Sequence, residues 1–494
     1  MPSREYSPKR RTAAVFAGVG TAGAYHAGAL RALDESGVKV DLVVGSGAGT
    51  IAAAFAAVAG GPKLYGDDGF WAGIGWGRLY RLRLGLRTTL ALLAASYGVF
   101  LLPLAVALVA GALSPLVLIV DLLLPGLFTR ASAAVGATPG ILRGPYLAAL
   151  AAPVFALCLV ASVAAIRLRL RAGRRWLEAL ESPVDVERGR ERLVRALWEI
   201  ARGPTLSKDP PAEPELGKRY VALAAENLGQ PRFRELILRA ADVETGGVLD
   251  FVLLEDAHRT SFGAARARGP RSRLDGLPGA VDLRSPDHDV LFFDAVMTGL
   301  LSPFVAQSRR VGFPKGGLHG GEIHRLADAT LAGGTGVAEA LAAGAEQVIL
   351  VASVSEDTEA PARRRGPRAH VDGALALLER QALEREIESA ERINRMVQTL
   401  GHDTPGGRAW QDPATGRLFR EFSLYVIRPA RRGLLPLEWD GAQDPGTEVL
   451  ETPADLMERG YKDAYRLFVE PVVGALPEPR RSVGLPPLTQ TVGL

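Results

Sequence analysis

The sequence is short of cysteine and, over two long stretches, of charge. Its single cysteine, Cys158, cannot form an intrachain disulfide, so no disulfide framework holds the fold together. Residues 88–120 and 144–166 contain no Asp, Glu, Lys or Arg. The seven histidines show none of the spacings typical of zinc ligands, so the sequence predicts no metal site.

Each uncharged stretch is long enough to cross a bilayer, which takes about 20 mostly apolar residues. The sequence therefore predicts an α-helical transmembrane hairpin with spans at about 88–110 and 145–166. Between them, Ala112 to Phe128 is interrupted by two prolines and an aspartate, which favours a re-entrant or interfacial segment. A pair of core helices in a soluble domain is the alternative, but core helices seldom lack charge over such a length.

The formal net charge of +4 is local. Nine arginines flank the apolar stretches in two short windows without an acid: Arg78, Arg81, Arg83, Arg87, Arg167, Arg169, Arg171, Arg174 and Arg175. Because positive flanks remain on the cytoplasmic side, we expect an integral protein of the cell membrane whose folded domain is cytoplasmic. Because the basic residues are confined to the flanks of the apolar stretches, we expect membrane lipid, and not nucleic acid, as the partner. A protein partner remains possible.

Outside the insert, short apolar runs alternate with helical patterns. Strands are expected near 13–17, 40–44, 248–254, 348–354 and 422–426, and helices near 24–35, 184–201, 371–400 and 454–469. This alternation predicts an α/β fold with a mostly parallel central sheet.

The expected organisation has six parts. They are a basic N-terminal tail (1–12), the first part of the α/β domain (13–80), the membrane insert (81–175), the second part of the domain (176–355), a C-terminal helical extension (356–476) and a Pro-rich tail (477–494).

A glycine-rich loop follows the first predicted strand. Residues Gly18 to Gly23 match the G-x-G-x-x-G pattern of dinucleotide sites, which is weak evidence alone. Such a site also needs an acid at the end of the second strand, about 20 residues later. Asp41 is near that distance, but it precedes the strand, and the strand ends in Gly45, so the acid is not at the required position. We therefore expect no nucleotide and no other cofactor.

A second glycine-rich turn follows the second strand, within DLVVGSGAGTIAAAF (Asp41 to Phe55). Two such loops at neighbouring strand ends suit acyl transfer: one offers N–H groups to an oxyanion, and the other holds a nucleophile. These motifs resemble those of the patatin-like phospholipases, which have a glycine-rich oxyanion loop, a G-x-S-x-G elbow and a Ser–Asp dyad. Three further stretches are similar to that family: Ala241–Gly246, Asp294–Phe304 and His324–Val354. The resemblance implies a three-layer patatin-like fold and lipid as the ligand.

The elbow departs from the family pattern at its tip. Its outer glycines are present, but Gly47 stands at the position of the nucleophilic serine. Ser46, one residue earlier, is the remaining candidate. Its use would place Val44 at a bend that tolerates almost no side chain, so Ser46 is interpreted as a turn serine. An atypical pair of Ser46 with Asp328 is the alternative.

The other family positions are also altered. The oxyanion loop, Gly18-Val19-Gly20, has a valine in place of the family's middle glycine, and Ala22 replaces the family's arginine. Asp328 matches the family's aspartate, but the Gly-Gly that follows it has become Ala329-Thr330.

Two functions follow from the resemblance and these departures. The first is a membrane-anchored protein of lipid metabolism, catalytically degenerate, whose former active-site cleft binds a lipid or a protein partner. The second is an active phospholipase or lipid acyl-ester hydrolase that uses Ser46 and Asp328. The residues at the catalytic positions favour the first.

Overall fold

The computed structural model describes most of the chain outside the apolar insert. Apart from isolated positions, the described residues are 6–73, 75–83, 182–203, 209–260, 280–302, 305–315, 319–355, 367–404, 407–413, 418–430, 433–434, 437–441 and 450–474. Within them, no helix has the length and hydropathy needed to cross a bilayer. The predicted spans, 88–110 and 145–166, lie outside the described residues except at a few isolated positions.

Two compact units are present. One consists of residues 1–80 together with 186–494, and the other of residues 81–185. In the second unit, two short strands, Arg81–Leu82 and Val184–Asp185, pair antiparallel.

The strands of the described residues are, in chain order, β1 (Thr12–Gly18), β2 (Leu42–Gly47), β3 (Arg81–Leu82), β4 (Val184–Asp185), β5 (Glu235–Asp242), β6 (Val248–Leu253), β7 (Ala280–Asp282), β8 (Arg309–Gly312), β9 (Ile323–Asp328), β10 (Gln347–Ala352), β11 (His402–Thr404), β12 (Gly407–Gln411), β13 (Leu418–Arg420) and β14 (Ser423–Ile427).

The described α-helices are α1 (Ala22–Glu35), α2 (Gly49–Ala57), α3 (Gly61–Tyr65), α4 (Glu187–Ala201), α5 (Glu213–Glu226), α6 (Phe292–Met297), α7 (Thr330–Gly333), α8 (Val337–Ala342), α9 (Pro367–Leu400) and α10 (Pro453–Ala464). Short 3₁₀ turns occur at Trp76–Arg78, Asp289–Leu291 and Thr298–Leu300, and α10 continues as a π-helical segment, Tyr465–Val473.

A central sheet organises the larger unit. Its strand order among the described residues is β14-β10-β1-β2-β5-β6-β7, with β9 added to β5 and β8 added to β9. The pairings among β14, β10, β1, β2 and β5 are all parallel, as is that of β6 with β7. The expectation of an α/β fold with a mostly parallel sheet is confirmed.

Helices cover both faces of the central strands. Ala13, Val15 and Ala17 lie on one face of β1, in an apolar core to which α8 and α9 also contribute. On the other face, the ring of Phe16 packs against His26 of α1, with ring centroids 5.8 Å apart. Because both faces are covered, β1 and β2 are buried along their whole length, which gives three layers.

β2 and β9 both pair with the same edge of β5. β2 pairs with the first five residues of β5, so that Ser46 lies opposite Arg239. β9 pairs with the last three, so that Asp328 lies opposite Ala240. Since β6 occupies the other edge of β5 through most of its length, β2 and β9 follow one another along the same edge. Asp328 therefore arrives directly beside the end of β2.

Residues 356–476, expected as a helical extension, also contribute strands. β14 joins the central sheet in parallel with β10, and β11, β12 and β13 form a small antiparallel sheet. Asn394 of α9 connects the helix to this region because its side-chain amide donates to Phe422 O (2.8 Å) and accepts from Phe422 N (3.1 Å). The C-terminal segment thus completes the central sheet.

The backbones of α1 and α10 touch where they cross. A Cβ on Gly28 would lie 1.8 Å from Met457 O, and a Cβ on Gly460 would lie 2.1 Å from Tyr25 O. Only glycine fits at either position. The Tyr25 hydroxyl also donates to Asp463 Oδ2 at 3.2 Å, so the crossing includes a buried hydrogen bond.

We expect Gly28→Ala to lower the melting temperature, because the added methyl group forces α1 and α10 apart and overpacking costs about 1–3 kcal/mol. The matched control is Gly373→Ala in α9, where an added Cβ has no neighbour within 4 Å. That change should preserve or raise stability, since alanine is favoured over glycine in helices by up to about 1 kcal/mol. Thermal unfolding in detergent compares the two; equal melting temperatures for Gly28→Ala and the parent chain would contradict the crossing.

Candidate functional site

The candidate site lies where β1, β2 and β9 end. β1 and β2 are parallel neighbours, so Gly18 and Gly47 lie side by side at the carboxyl edge of the sheet. Gly47 has a φ of +59°, in the left-handed region that favours glycine. α2 begins two residues later, and the Thr50 hydroxyl donates to Gly47 O at 2.9 Å. The local structure is therefore a strand, a tight elbow and a helix, as the glycine pattern predicts.

No side chain fits at the tip of this elbow. A Cβ on Gly47 would lie 2.1 Å from Thr330 Oγ1 and 2.4 Å from both Asp328 Oδ1 and Gly18 O. Thr330 is held in place twice: its hydroxyl donates to Gly18 O (3.1 Å), and its amide donates to Asp328 Oδ1 (2.7 Å). Thr330 thus takes up the space into which a side chain at the elbow tip would extend.

The predicted oxyanion loop, Gly18-Val19-Gly20, is a tight turn into α1. Gly20 has a φ of +50°, Val19 is fully buried, and the Val19 carbonyl accepts from Ala22 N at 3.0 Å. Gly18 directs its carbonyl to the elbow, where it accepts from Ala48 N at 2.7 Å. In G-x-S-x-G elbows the amide after the nucleophile donates to the oxyanion. Here that amide is already bonded.

Asp328 is buried, with 3% of its surface exposed. Its Oδ2 and the hydroxyl of Tyr80 are both buried without a hydrogen-bond partner among the described residues. Burial raises the pKa of Asp328 to about 7, against which its hydrogen bonds from Thr330 act only in part. Burial, together with the charge of Asp328, raises the pKa of Tyr80 far above its ordinary value. At neutral pH the site therefore holds a carboxyl group close to half protonation.

A second buried carboxyl group lies near Asp328. Glu379 of α9 accepts a short hydrogen bond from the hydroxyl of Ser353, the residue that follows β10. A Cβ on Gly18 would lie 2.9 Å from Ser353 Oγ, so this pair adjoins the glycine loop. Burial raises the pKa of Glu379 to about 7. The hydrogen bond from Ser353 acts against this rise, and the charge of Asp328 adds to it. Sequence reasoning missed both residues, because α9 brings Glu379 to the site from a distant part of the chain.

Ser46 faces the opposite side of the sheet from Asp328. Residues paired across two strands point to the same face, and neighbours along a strand alternate. Ser46 pairs with Arg239 and Asp328 pairs with Ala240, and these partners are neighbours on β5. Ser46 Oγ accordingly donates to Gly334 O (3.4 Å), to which the buried Arg239 guanidinium also donates (3.0 Å). The glycine after Ser46, and not Ser46 itself, lies beside Asp328.

The site is thus equipped to hold protons and polar groups. Its two carboxyl groups are buried, and the charge of Asp328 raises the pKa of Glu379, so the second proton is lost less readily than the first. The elbow tip has no hydroxyl, and the amide that follows it is occupied. These features suit the binding of a hydroxyl or another polar group better than acyl transfer.

The two raised pKa values predict a pH-dependent stability. The folded state keeps the protons of Asp328 and Glu379 up to about pH 7, whereas ordinary values near 4 apply in the unfolded chain. The folded state therefore binds more protons between these values, and stability should fall as the pH rises from about 4 to about 7, on the order of 3 kcal/mol per group.

Melting temperatures at pH 5 and pH 8 measure this effect. Asp328→Asn and Glu379→Gln should each flatten the decline and raise stability at pH 8, because neither amide ionises. The exposed Asp68→Asn is the control and should leave the profile unchanged. A profile identical to that of the parent chain in both buried variants would be incompatible with neutral carboxyl groups at this site.

Residues 14–92 match the model of the patatin-like phospholipase family. The comparison with curated proteins gives no match. Among solved structures, the chain is similar to VipD from Legionella pneumophila, with 13% identity over 93% of this chain and 67% of that chain and a TM-score of 0.30. The family match spans β1, α1, β2 and α2. Over the stretch that carries both glycine turns, this chain is similar to the patatin-like phospholipases.

Proposed function

We propose that this chain is a membrane-anchored patatin-like protein of lipid metabolism that binds a lipid, or a protein partner, without hydrolysing it. The family match over residues 14–92 supports the lipid connection, since the family consists of lipid acyl hydrolases. The altered catalytic positions support the loss of hydrolysis.

The observation that carries the proposal is the crowding around Gly47. A serine nucleophile needs a Cβ at the elbow tip, and that position lies 2.1 Å from Thr330 Oγ1. The family pattern has a serine at the elbow and a glycine or alanine two residues after the aspartate, whereas this chain has a glycine and a threonine. The two exchanges fit one another sterically, which favours a site adapted to work without a nucleophile.

The ligand is proposed from the unpartnered polar atoms. Asp328 Oδ2 and Tyr80 Oη are buried beside the elbow without a hydrogen-bond partner in the described part of the chain. Buried polar groups are nearly always hydrogen-bonded, so a hydroxyl or other polar group from a ligand would stabilise this arrangement. The head group or the glycerol hydroxyl of a lipid supplies such a group.

Hydrolysis is the second candidate, and one observation favours it. The pair proposed from the sequence, Ser46 with Asp328, has its members on opposite faces of the sheet. Ser353 and Glu379, by contrast, form a hydroxyl–carboxylate pair next to Gly18. A test of hydrolysis must therefore examine Ser353 as well as Ser46.

The intact chain in detergent, incubated with a fluorophosphonate probe and with a panel of phospholipids and short acyl esters, tests the proposal. We expect no turnover, and labelling no greater than in Ser46→Ala and Ser353→Ala, because an activated hydroxyl must stand next to free oxyanion donors. Turnover that disappears in either variant would identify the nucleophile and overturn the proposal.

A designed gain of function provides the positive control. Gly47→Ser alone should remain unlabelled, since Thr330 occupies the space. Gly47→Ser combined with Thr330→Gly should label weakly, because the second change removes the closest contact and leaves only the 2.4 Å contacts with Asp328 Oδ1 and Gly18 O to be relieved by small shifts. Its activity should remain low while Ala48 N is bonded to Gly18 O, as the loss of one oxyanion donor costs about 10²–10³ in rate. Equal labelling of the single and double variants would argue against steric exclusion by Thr330.

The membrane anchor is proposed from the uncharged stretches and their arginine flanks. β2 precedes the insert and β9 follows it, yet both pair with β5, so the chain crosses the bilayer an even number of times between them. A reporter fused near residue 135 should be extracytoplasmic, and reporters at both ends of the chain should be cytoplasmic. Residue 135 on the same side as the ends would replace the hairpin with a monotopic anchor.

A further inference from the structure

Three potential metal ligands meet where β8 and β9 join. His319 and Glu322 lie in the connection between the two strands, and His324 is the second residue of β9. One ligand atom from each of the three lies within 4.8 Å of the others. Glu322 Oε2 is 3.1 Å from His324 Nε2 and 3.7 Å from His319 Nδ1.

These separations fit a small divalent cation. In a tetrahedral zinc site, with metal–ligand distances of about 2.0–2.2 Å, adjacent ligand atoms lie about 3.3–3.6 Å apart. The two measured separations fall on either side of that range. The ligand atoms of His319 and His324 lie within 4.8 Å of one another, so side-chain rotation is needed to bring all three atoms to one ion.

Among the described residues, neither ring nitrogen of His319 has a hydrogen-bond partner, although its exposed surface is only 3%. A buried polar group without a partner is costly, and native structures contain few of them. A neutral imidazole can donate a ring lone pair to a metal. A bound cation would give His319 a partner that the described residues do not supply.

His324 is oriented by a carboxylate. Its Nδ1 lies 2.7 Å from Asp242 Oδ2, and Asp242 is itself held by the Thr245 hydroxyl (2.7 Å) and by the amide of Glu244 (3.1 Å). This is the outer partner that metal-binding histidines usually have. On the other side of the ring, Nε2 lies 3.1 Å from a carboxylate oxygen of Glu322, so either a proton on Nε2 or a metal ion bound to it joins the two groups.

The surroundings leave one side of the cluster open. The ring of Phe313 packs edge-on against both imidazoles, with centroids 5.0 Å from each. The side chain of Glu322 is 61% exposed, so the opposite side faces solvent. Three protein ligands and an exposed side leave a fourth position for water.

We propose that His319, Glu322 and His324 bind one divalent transition-metal ion, with Asp242 as the residue that orients His324. Two imidazoles and one carboxylate form a ligand set that suits zinc. The ion fixes the connection between β8 and β9, and with it the start of the strand that ends at Asp328. The proposal does not depend on the proposed function.

The sequence predicts no metal here because the ligands follow no common zinc spacing. The pattern is His-x-x-Glu-x-His, and its orienting carboxylate comes from β5. A second group, Glu235, Glu255 and His258, is also close enough to hold an ion. There, however, the Arg11 guanidinium forms an ion pair with Glu235 and supplies the positive charge.

Metal binding is tested on the untagged full chain in detergent after removal of metals with a chelator. Calorimetric titration with Zn²⁺ should give one ion per chain, and Co²⁺ should give the visible absorption bands of a four- or five-coordinate site. Glu322→Gln should weaken zinc binding at least tenfold, and Asp242→Asn should weaken it about 10–100-fold. The exposed His402→Ala is the control and should bind as the parent chain does.

Thermal unfolding separates a ligand from a packing residue. Zinc should raise the melting temperature of the parent chain but not that of His319→Leu. Without zinc, His319→Leu should be at least as stable as the parent, because it removes a buried polar group that lacks a partner. Absence of stoichiometric zinc binding, or equal zinc affinity in the parent chain and the folded Glu322→Gln variant, would overturn the proposal.

Discussion

The shared edge of β5 is the constraint on which the rest of the site depends. β2 leaves this edge after Ser46 and β9 continues it with Asp328, so the elbow and the aspartate must meet. The same pairing determines which residue meets the aspartate, because side chains alternate between the faces of a sheet. An elbow glycine beside a buried carboxyl group is therefore a property of the strand register, and loop rearrangement alone cannot change it.

Around that meeting point, hydrogen bonds to one carbonyl hold the strand ends together. Gly18 O accepts from Ala48 N and from the Thr330 hydroxyl, which ties the ends of β1, β2 and β9 together. The carboxyl groups of Asp328 and Glu379 remain buried close to half protonation at neutral pH. Two buried, partly protonated carboxyl groups can donate hydrogen bonds to a neutral polar group as well as accept them.

Much of the fold can be predicted from the sequence, because buried parallel strands are apolar runs bounded by glycine turns, as at β1 and β2. The elbow and the departure at Gly47 are equally visible. The sequence does not reveal that Thr330 fills the space beside Gly47, because this depends on distances of 2–3 Å between distant segments. The pairing of Ser353 with Glu379 is hidden for the same reason. The membrane spans remain a prediction, since they lie outside the described residues.

The crossing of α1 and α10 also joins two segments that are far apart in the chain, since Tyr25 and Asp463 are separated by 438 residues. Until α10 docks, the close backbone contact at Gly28 is unmade, and until β14 pairs, β10 lacks its outer neighbour. Contacts between such distant segments slow folding and expose apolar surface meanwhile. The domain therefore cannot cover all of its apolar surface until these two distant segments have met.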